Sequence, residues 1–287
     1  MKIGILYQPK NGPAVEAIDF VVALLGNGGH TLWETSSWDI DSKDKELHDT
    51  DLLLSLGGDG TLLRAIRVGA PLGIYCLGIN FGNLGFLTEL ESHEIERNLT
   101  NLSPDTGWIE QRVLIEWEHW RQGNNQNTGV AVNEIVVARG EISRVVDIGV
   151  RIDGADVVTY TADGTIVSTP TGSTGYTMAV QGPIMDPQAN TFAITPICPF
   201  LTASNSLVTS SNSEIELSIN TQHESGLTID GQTHHSIQDG DVVKCTASPY
   251  PAKLLRFGPK NYFFPVLARK LRWSIPSDIL HSDKDTD

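Results

Sequence analysis

The rhythm of apolar and polar positions changes near residue 105. Before that point, short continuous apolar runs alternate with stretches whose apolar residues recur at helical spacing, which predicts an α/β arrangement. "KIGILY", starting at Lys2, predicts a strand, and "AVEAIDFVVALLGNGG" predicts a helix that stops on Gly28 and Gly29. "TLWE" predicts another strand. "DLLLSLG", Asp51 to Gly57, is the unbroken apolar run of a parallel strand buried on both faces. "TLLRAIRVGA" then predicts a helix and "GIYCLGIN" the next strand.

From Trp108 to about Lys253 the pattern shortens. Runs such as "RVLIEWEHW", "VAVNEIVVARG", "VVDIGVRIDG", "EIELSIN" and "DVVKCTAS" are rich in Val, Ile and Thr and are separated by turn signals such as "DG" and "GNN". This predicts an all-β region, sandwich-like or barrel-like. A helix is expected to start in "GSTGYTMAVQG". "NYFFPVLARKLRWS" reads as an amphipathic segment, and "PSDILHSDKDTD" as a solvated tail. The expected division is therefore an α/β domain over 1–107 and a β-rich domain over 108–253, followed by a terminal segment, 254–287.

Composition narrows the classes. The 287 residues are 40% apolar and carry a formal net charge of −15, so a core is affordable and a basic nucleic-acid footprint is missing. Anionic ligands would need local dipoles, a few Arg or Lys, or a metal to draw them in. The three cysteines, Cys76, Cys198 and Cys245, form neither a disulfide framework nor a zinc pattern, which suits a reduced cytoplasm. No signal peptide is read before the first strand, and no apolar stretch reaches the ~18 residues of a membrane span, so no membrane partner is expected.

Four stretches could carry chemistry. In "GGDGT" the glycines Gly57, Gly58 and Gly60 strip the surroundings of Asp59 of every side chain but its own carboxylate. An acid at the C-terminal end of a buried strand, with freed backbone N–H groups and a helix to follow, can meet phosphates and take a proton from an attacking hydroxyl, or hold Mg²⁺. A tight left-handed turn with an Asp–backbone hydrogen bond is the alternative reading. "GINFGNLGFLTEL" offers the Asn80 amide and a Phe86 ring face, although a loop with a core Phe would look the same. "VNEIVV" puts Asn133 and Glu134 in an apolar run, where one of two neighbours faces inward and wants a partner such as a ribose diol. A solvated edge strand is the alternative. "TADGTIVSTPTGSTGYTMAVQGP" supplies hydroxyls and N–H groups without charge, plus Asp163. "THH" at 233–235 reads better as a solvated pair than as a metal site.

Taken in this order, "GGDGT" with "LLRA", "GINFGNLGFL", "VNE" and "DGTIVSTPTGSTGY" resemble the NAD kinases, with "LTIDGQ" and "ITPICP" as weaker support. "GGDGT" by itself is shared with diacylglycerol and sphingosine kinases. The resemblance covers about residues 1–265. It implies a Rossmann-like α/β N-terminal domain and an all-β sandwich-like C-terminal domain, with the active site between them and the last segment returning to the first domain. It implies transfer of the ATP γ-phosphoryl group to the 2′-hydroxyl of the NAD adenosine ribose, Mg²⁺ or another divalent metal carried with ATP, and a homodimer or homotetramer.

Carried across by motif, Asp59 becomes the base. Gly57, Gly58 and Gly60 leave room for ribose and triphosphate, and Phe86 lies near the adenine. Asn133 and Glu134 hold a ribose and the adenine side of NAD, and Asp163 contacts the nicotinamide half. Thr174, Gly175 and Tyr176 line the NAD site. Thr61, Arg64, Asn80 and Thr171 complete the implied binding set. Asp230 matches the Asp of the "DGQ" motif without a derivable role, and no residue is expected as a metal ligand. The chain departs from the family at Thr161, where many relatives have Arg, at Gly175, where many have Ala, and in "FLTASNSLVTS", which lacks an Arg and a Pro. The rival classes are a lipid or other small-hydroxyl kinase, which the hydroxyl-rich loop argues against, and a non-catalytic NAD(H)-binding regulator, which the intact Asp59 argues against.

Overall fold

The computed structural model describes residues 1–82, 85–103, 105–140, 144–201 and 204–273. The first part of the chain lays down β1 (Lys2–Tyr7), β2 (Thr31–Ser36), β3 (Leu52–Gly57), β4 (Tyr75–Asn80), β5 (Leu90–Glu91) and β6 (Trp108–Arg112). Helices α1 (Gly12–Glu16), α2 (Ile18–Asn27), α3 (Asp59–Gly69) and α4 (Ile95–Leu99) connect them. Every residue of β3 is buried, as its unbroken apolar run requires. The one helix expected after β1 is two. Asn11 caps the first, its Oδ1 accepting the Ala14 N–H at 3.1 Å, and the backbone at Ala17 (φ −78°, ψ −13°) departs from ideal helix before α2 resumes.

The next twelve strands make two antiparallel sheets. They are β7 (Ile115–Arg121), β8 (Asn124–Ala131), β9 (Glu134–Arg139), β10 (Val146–Ile152), β11 (Ala155–Ala162), β12 (Gly164–Ser168), β13 (Thr191–Ile197), β14 (Leu207–Ser210), β15 (Ile215–Asn220), β16 (Ser225–Ile229), β17 (Thr233–Ile237) and β18 (Val242–Ala247). One sheet runs β11-β10-β15-β18-β7-β8 and the other β14-β13-β12-β9-β16-β17. Inward residues of both, including Trp117, Ile135, Ile148, Phe192 and Leu217, interlock in one core, so the β-rich region is a sandwich. The helix expected in "GSTGYTMAVQG" is a 3₁₀ turn over Thr171–Thr174 followed by one short helix, α5 (Tyr176–Ala179).

The last strand, β19 (Ala252–Arg256), leaves the sandwich and rejoins the first sheet. It runs parallel to β4 and antiparallel to β6, giving the order β2-β1-β3-β4-β19-β6 with β5 also on β4. "RVLIEWEHW" is therefore split at Val113 and Leu114: β6, at the start of the expected β-rich region, pairs with β19 and belongs to the α/β sheet. The chain enters and leaves the sandwich through two neighbouring strands. The amphipathic segment near the end is α6 (Phe263–Leu271), and the tail from 276 lies outside the described residues. In the first sheet the order reverses between β1 and β3, and a crevice at the C-terminal ends of such strands is where open α/β sheets take ligands.

Candidate active site

Asp59 is the first residue of α3, two residues beyond the end of β3, with Gly58 between them extended at the N-cap (φ −129°, ψ −167°). Gly57, Gly58 and Gly60 all lie outside the positive-φ residues, so no left-handed turn explains them. Space separates the three. A Cβ on Gly57 would collide with the Thr61 hydroxyl, so that glycine serves the packing of the loop on its own helix. A Cβ on Gly58 would meet no atom within 4 Å, and one on Gly60 only Gln232 Nε2 at 3.8 Å. These two face open room beside the carboxylate and the positive end of the α3 dipole.

The Asp59 carboxylate is held from the far side. Oδ2 accepts the Phe86 N–H at 2.7 Å, and Oδ1 accepts those of Leu87 and Thr88 at 3.1 and 3.2 Å. Gly85 permits this approach, because a Cβ there would strike Asp59 Oδ1. Asn80, at the end of β4, spends its amide on the loop itself, bonding Glu91 at 3.1 and 3.2 Å and both the carbonyl and the N–H of Gly82. Phe86 carries Lys270 of α6 over its ring, 4.1 Å from the centroid. Burial lowers the Lys270 ammonium, while the Asp59 carboxylate is close enough to favour its charged form. Sequence reasoning gave Lys270 no role, since it reads as an ordinary cation near a helix C-terminus.

Asn133 and Glu134 occupy the turn from β8 into β9. Both are inward, and two of their oxygens, Asn133 Oδ1 and Glu134 Oε2, are buried with no hydrogen-bond partner. Burial, and then the Asp230 carboxylate, push the Glu134 carboxyl up to about 8, against a weaker opposing pull from the Tyr176 N–H. Gly175 makes the room, since a Cβ there would lie 3.0 Å from Glu134 Oε2. Tyr176 starts α5 alongside, with its ring exposed. Asp230 braces this turn: its carboxylate accepts the N–H groups of Val132, Asn133 and Glu134 at 2.7–3.2 Å and fixes the backbone that aims the pair.

The hydroxyl-rich loop is tied from beneath. Thr171 Oγ1 accepts a bond from Arg112 Nη1 at 3.1 Å, and Thr174 Oγ1 donates to the Thr171 carbonyl at 3.2 Å. Arg112 shares the Glu110 carboxylate with Arg256, which also donates to the Leu87 carbonyl at 2.8 Å. Burial would raise the Glu110 carboxyl, but the two guanidiniums outweigh it and hold it below the usual range. This buried cluster links the loop that grips Asp59 to the loop beside Glu134. Asp163 stands apart. It pairs with Arg139 at 2.7 Å at the opposite end of β9 from Glu134, roughly 17 Å away at ~3.4 Å per residue.

Two further residues escaped sequence reasoning. Gln232 Nε2 donates to the Gly60 carbonyl at 2.9 Å, and its Oε1 accepts from Arg67 Nη2. Arg64 and Arg67 lie on one face of α3 and line a cavity of about 420 Å³ with Ser37, Asp41 and Thr233. Their spacing of three on one predicted helix was the available signal. Among the described residues no three His, Cys, Asp or Glu converge as a metal site.

Residues 23–106 match the ATP-NAD kinase N-terminal domain, and residues 132–257 the ATP-NAD kinase C-terminal domain. A NAD kinase of Dehalococcoides mccartyi is 39% identical over 272 residues, 94% of this chain and 96% of its own. The crystal structure of an NAD kinase from Archaeoglobus fulgidus in complex with ATP is similar at a TM-score of 0.76 and 26% identity, over 95% of this chain and 99% of that one. The fold is also that of yeast NADH kinase complexed with NADH, with a TM-score of 0.81 at 21% identity over 96% of this chain and 88% of that one.

Proposed function

The chain belongs to the ATP-NAD kinase family, and on that premise we propose how its residues divide the work. Its activity is that of an ATP-dependent NAD kinase: the γ-phosphoryl group of ATP passes to the 2′-hydroxyl of the adenosine ribose of NAD, giving NADP. Asp59 is the base. The observation that carries this assignment is the grip of three backbone amides on its carboxylate. A carboxylate has about four acceptor directions, so three are used to fix its orientation and one is left for a substrate hydroxyl.

The acceptor ribose sits against Asn133 and Glu134, whose unpartnered buried oxygens are acceptors in search of hydroxyl donors. Gly175 and Tyr176 close that side, and Phe86 flanks the adenine. Asp59 takes the 2′-hydroxyl proton as the oxygen attacks the γ-phosphorus in line, and the bond to the leaving β-phosphate oxygen breaks. Phosphoryl transfer asks the protein chiefly for positioning and charge stabilisation. The open space at Gly58 and Gly60 admits the triphosphate to the α3 N-terminus, and Arg64 and Lys270 add positive charge in an otherwise acidic chain. Thr61, Thr171 and Thr174 shape the loops, and Asn80 acts through the segment that it braces.

A divalent metal carried with ATP would neutralise phosphate charge; among the described residues no three His, Cys, Asp or Glu converge to cage it, so phosphate oxygens and water would supply most of its ligands, as Mg²⁺ prefers. Assembly as a homodimer or homotetramer is proposed from the family alone, and Asp163, paired with Arg139, is proposed to contact the nicotinamide half. Three free cysteines suit a cytoplasmic setting, and among the described residues no helix is long and apolar enough to cross a membrane. The test is formation of NADP from NAD, ATP and Mg²⁺, read by a coupled dehydrogenase that accepts only NADP. Well-folded protein that makes none would overturn the reading.

A further inference from the structure

The hairpin turn between β16 and β17 touches both halves of the site. Asp230 (φ 51°) and Gly231 (φ 63°) are both left-handed, and the Gln232 N–H closes on the Ile229 carbonyl at 2.9 Å. Two successive left-handed central residues are what a type I′ turn requires and what an Asp-Gly pair favours. Such a turn fixes the directions of the side chains of Asp230, its second residue, and Gln232, its last. Asp230 reaches the start of β9, where it pins the amides of the Asn133–Glu134 turn. Gln232 reaches α3, where it donates to the Gly60 carbonyl and accepts from Arg67.

We infer that Gln232 is a positioning residue for phosphoryl transfer: its bonds to Gly60 and Arg67 set where Asp59 stands relative to the Asn133–Glu134 pair. The inference rests on the roles proposed for those residues. Among the described residues, every side-chain hydrogen bond between α3 and the sandwich runs to Gln232 or its neighbour Thr233. The two contacts differ in kind. The Gly60 carbonyl is one residue beyond Asp59, so that bond locates the helix start. Arg67 lies two turns further along, so the second bond resists rotation and sliding of the helix. The ribose side needs neither contact, because Asp230 holds it independently.

Loss of Gln232 should therefore separate chemistry from binding. A displacement of about 1 Å between reacting groups is enough for a loss of ~10²-fold. Gln232→Ala removes both bonds. Gln232→Glu keeps an acceptor for Arg67 but presents an oxygen to the Gly60 carbonyl, so it breaks the link nearest Asp59. Both variants are expected to lose about 10- to 100-fold in kcat, while the NAD Kd measured by calorimetry stays within about threefold. Amide hydrogen exchange should quicken over residues 60–64 and stay slow over 132–134, where Asp230 still accepts. A Gln232→Ala enzyme with kcat within about twofold of wild type would overturn the inference, and so would equal losses in kcat and NAD affinity, which mark a merely structural role. Asp59→Asn is assayed beside them. If that variant kept turnover, the base assignment would fall, and the exchange pattern would still decide whether Gln232 holds α3.

Discussion

Asp59 Oδ2 lies 2.7 Å from the Phe86 amide nitrogen, across the gap between the α3 N-terminus and the loop after β4. That bond turns a flexible acid into a fixed one. The loop is braced further from behind: Arg256 holds the Leu87 carbonyl, and through Glu110 and Arg112 it reaches Thr171.

The glycines of the Asp59 loop should respond differently to a methyl group. Gly57→Ala forces a clash with Thr61 and is expected to destabilise the fold by about 1–3 kcal/mol, seen as a lower Tm. Gly58→Ala meets no protein atom, and its backbone conformation suits any residue. Its Tm should match wild type while kcat/KM for ATP falls. Wild-type kinetics in Gly58→Ala would mean that no ligand passes there.

Asn133→Ala should raise the KM for NAD more than the KM for ATP. The buried Oδ1 waits for a hydroxyl of the NAD ribose, and a hydrogen bond of this kind is worth about 0.5–1.5 kcal/mol, roughly two- to thirteenfold. Steady-state kinetics with each substrate varied in turn would read the difference. The opposite order would exchange the places of the two substrates.

Glu134 gives the apo protein a pH dependence. Its folded carboxyl sits near 8 against an ordinary 4.5, because burial and then Asp230 disfavour the charge. A folded value above the unfolded one stabilises fully below 4.5, and that contribution is lost as pH rises toward 8. The Tm of wild type should therefore fall relative to Glu134→Gln across that window. NAD should offset the fall, since a ribose hydroxyl donating to Oε2 favours the charged carboxylate. Scanning calorimetry of both proteins at several pH values, with and without NAD, checks this. Parallel curves for the two proteins would place Glu134 in contact with solvent.

Local signals carried the frame of this site into the sequence. The apolar run 52–57 and the glycines after it predict β3, the loop and α3, because burial on both faces and helix periodicity are short-range patterns. The union of β6 with β19 was not legible, since it joins residues about 140 positions apart and leaves no periodic trace. Arg67 and Gln232 were hidden for the same reason: one reads as a helix-surface cation, the other as the end of a common Asp-Gly turn. Asn80 shows the opposite limit. Its residue type suggested a ligand, but the full set of bonds to Glu91 and Gly82 appears only once β4 and β5 are side by side.

The most direct measurement pairs kcat with NAD affinity for Asp59→Asn. The amide can turn its oxygen toward Leu87 and Thr88, which leaves its NH₂ facing the Phe86 N–H at a cost of about 1–3 kcal/mol, so a lower Tm is expected. NAD should still bind, and turnover should fall by about 10²–10⁴-fold, the usual contribution of a positioned base. An Asp59→Asn protein that keeps more than about a tenth of wild-type kcat would contradict the assignment of Asp59 as the base.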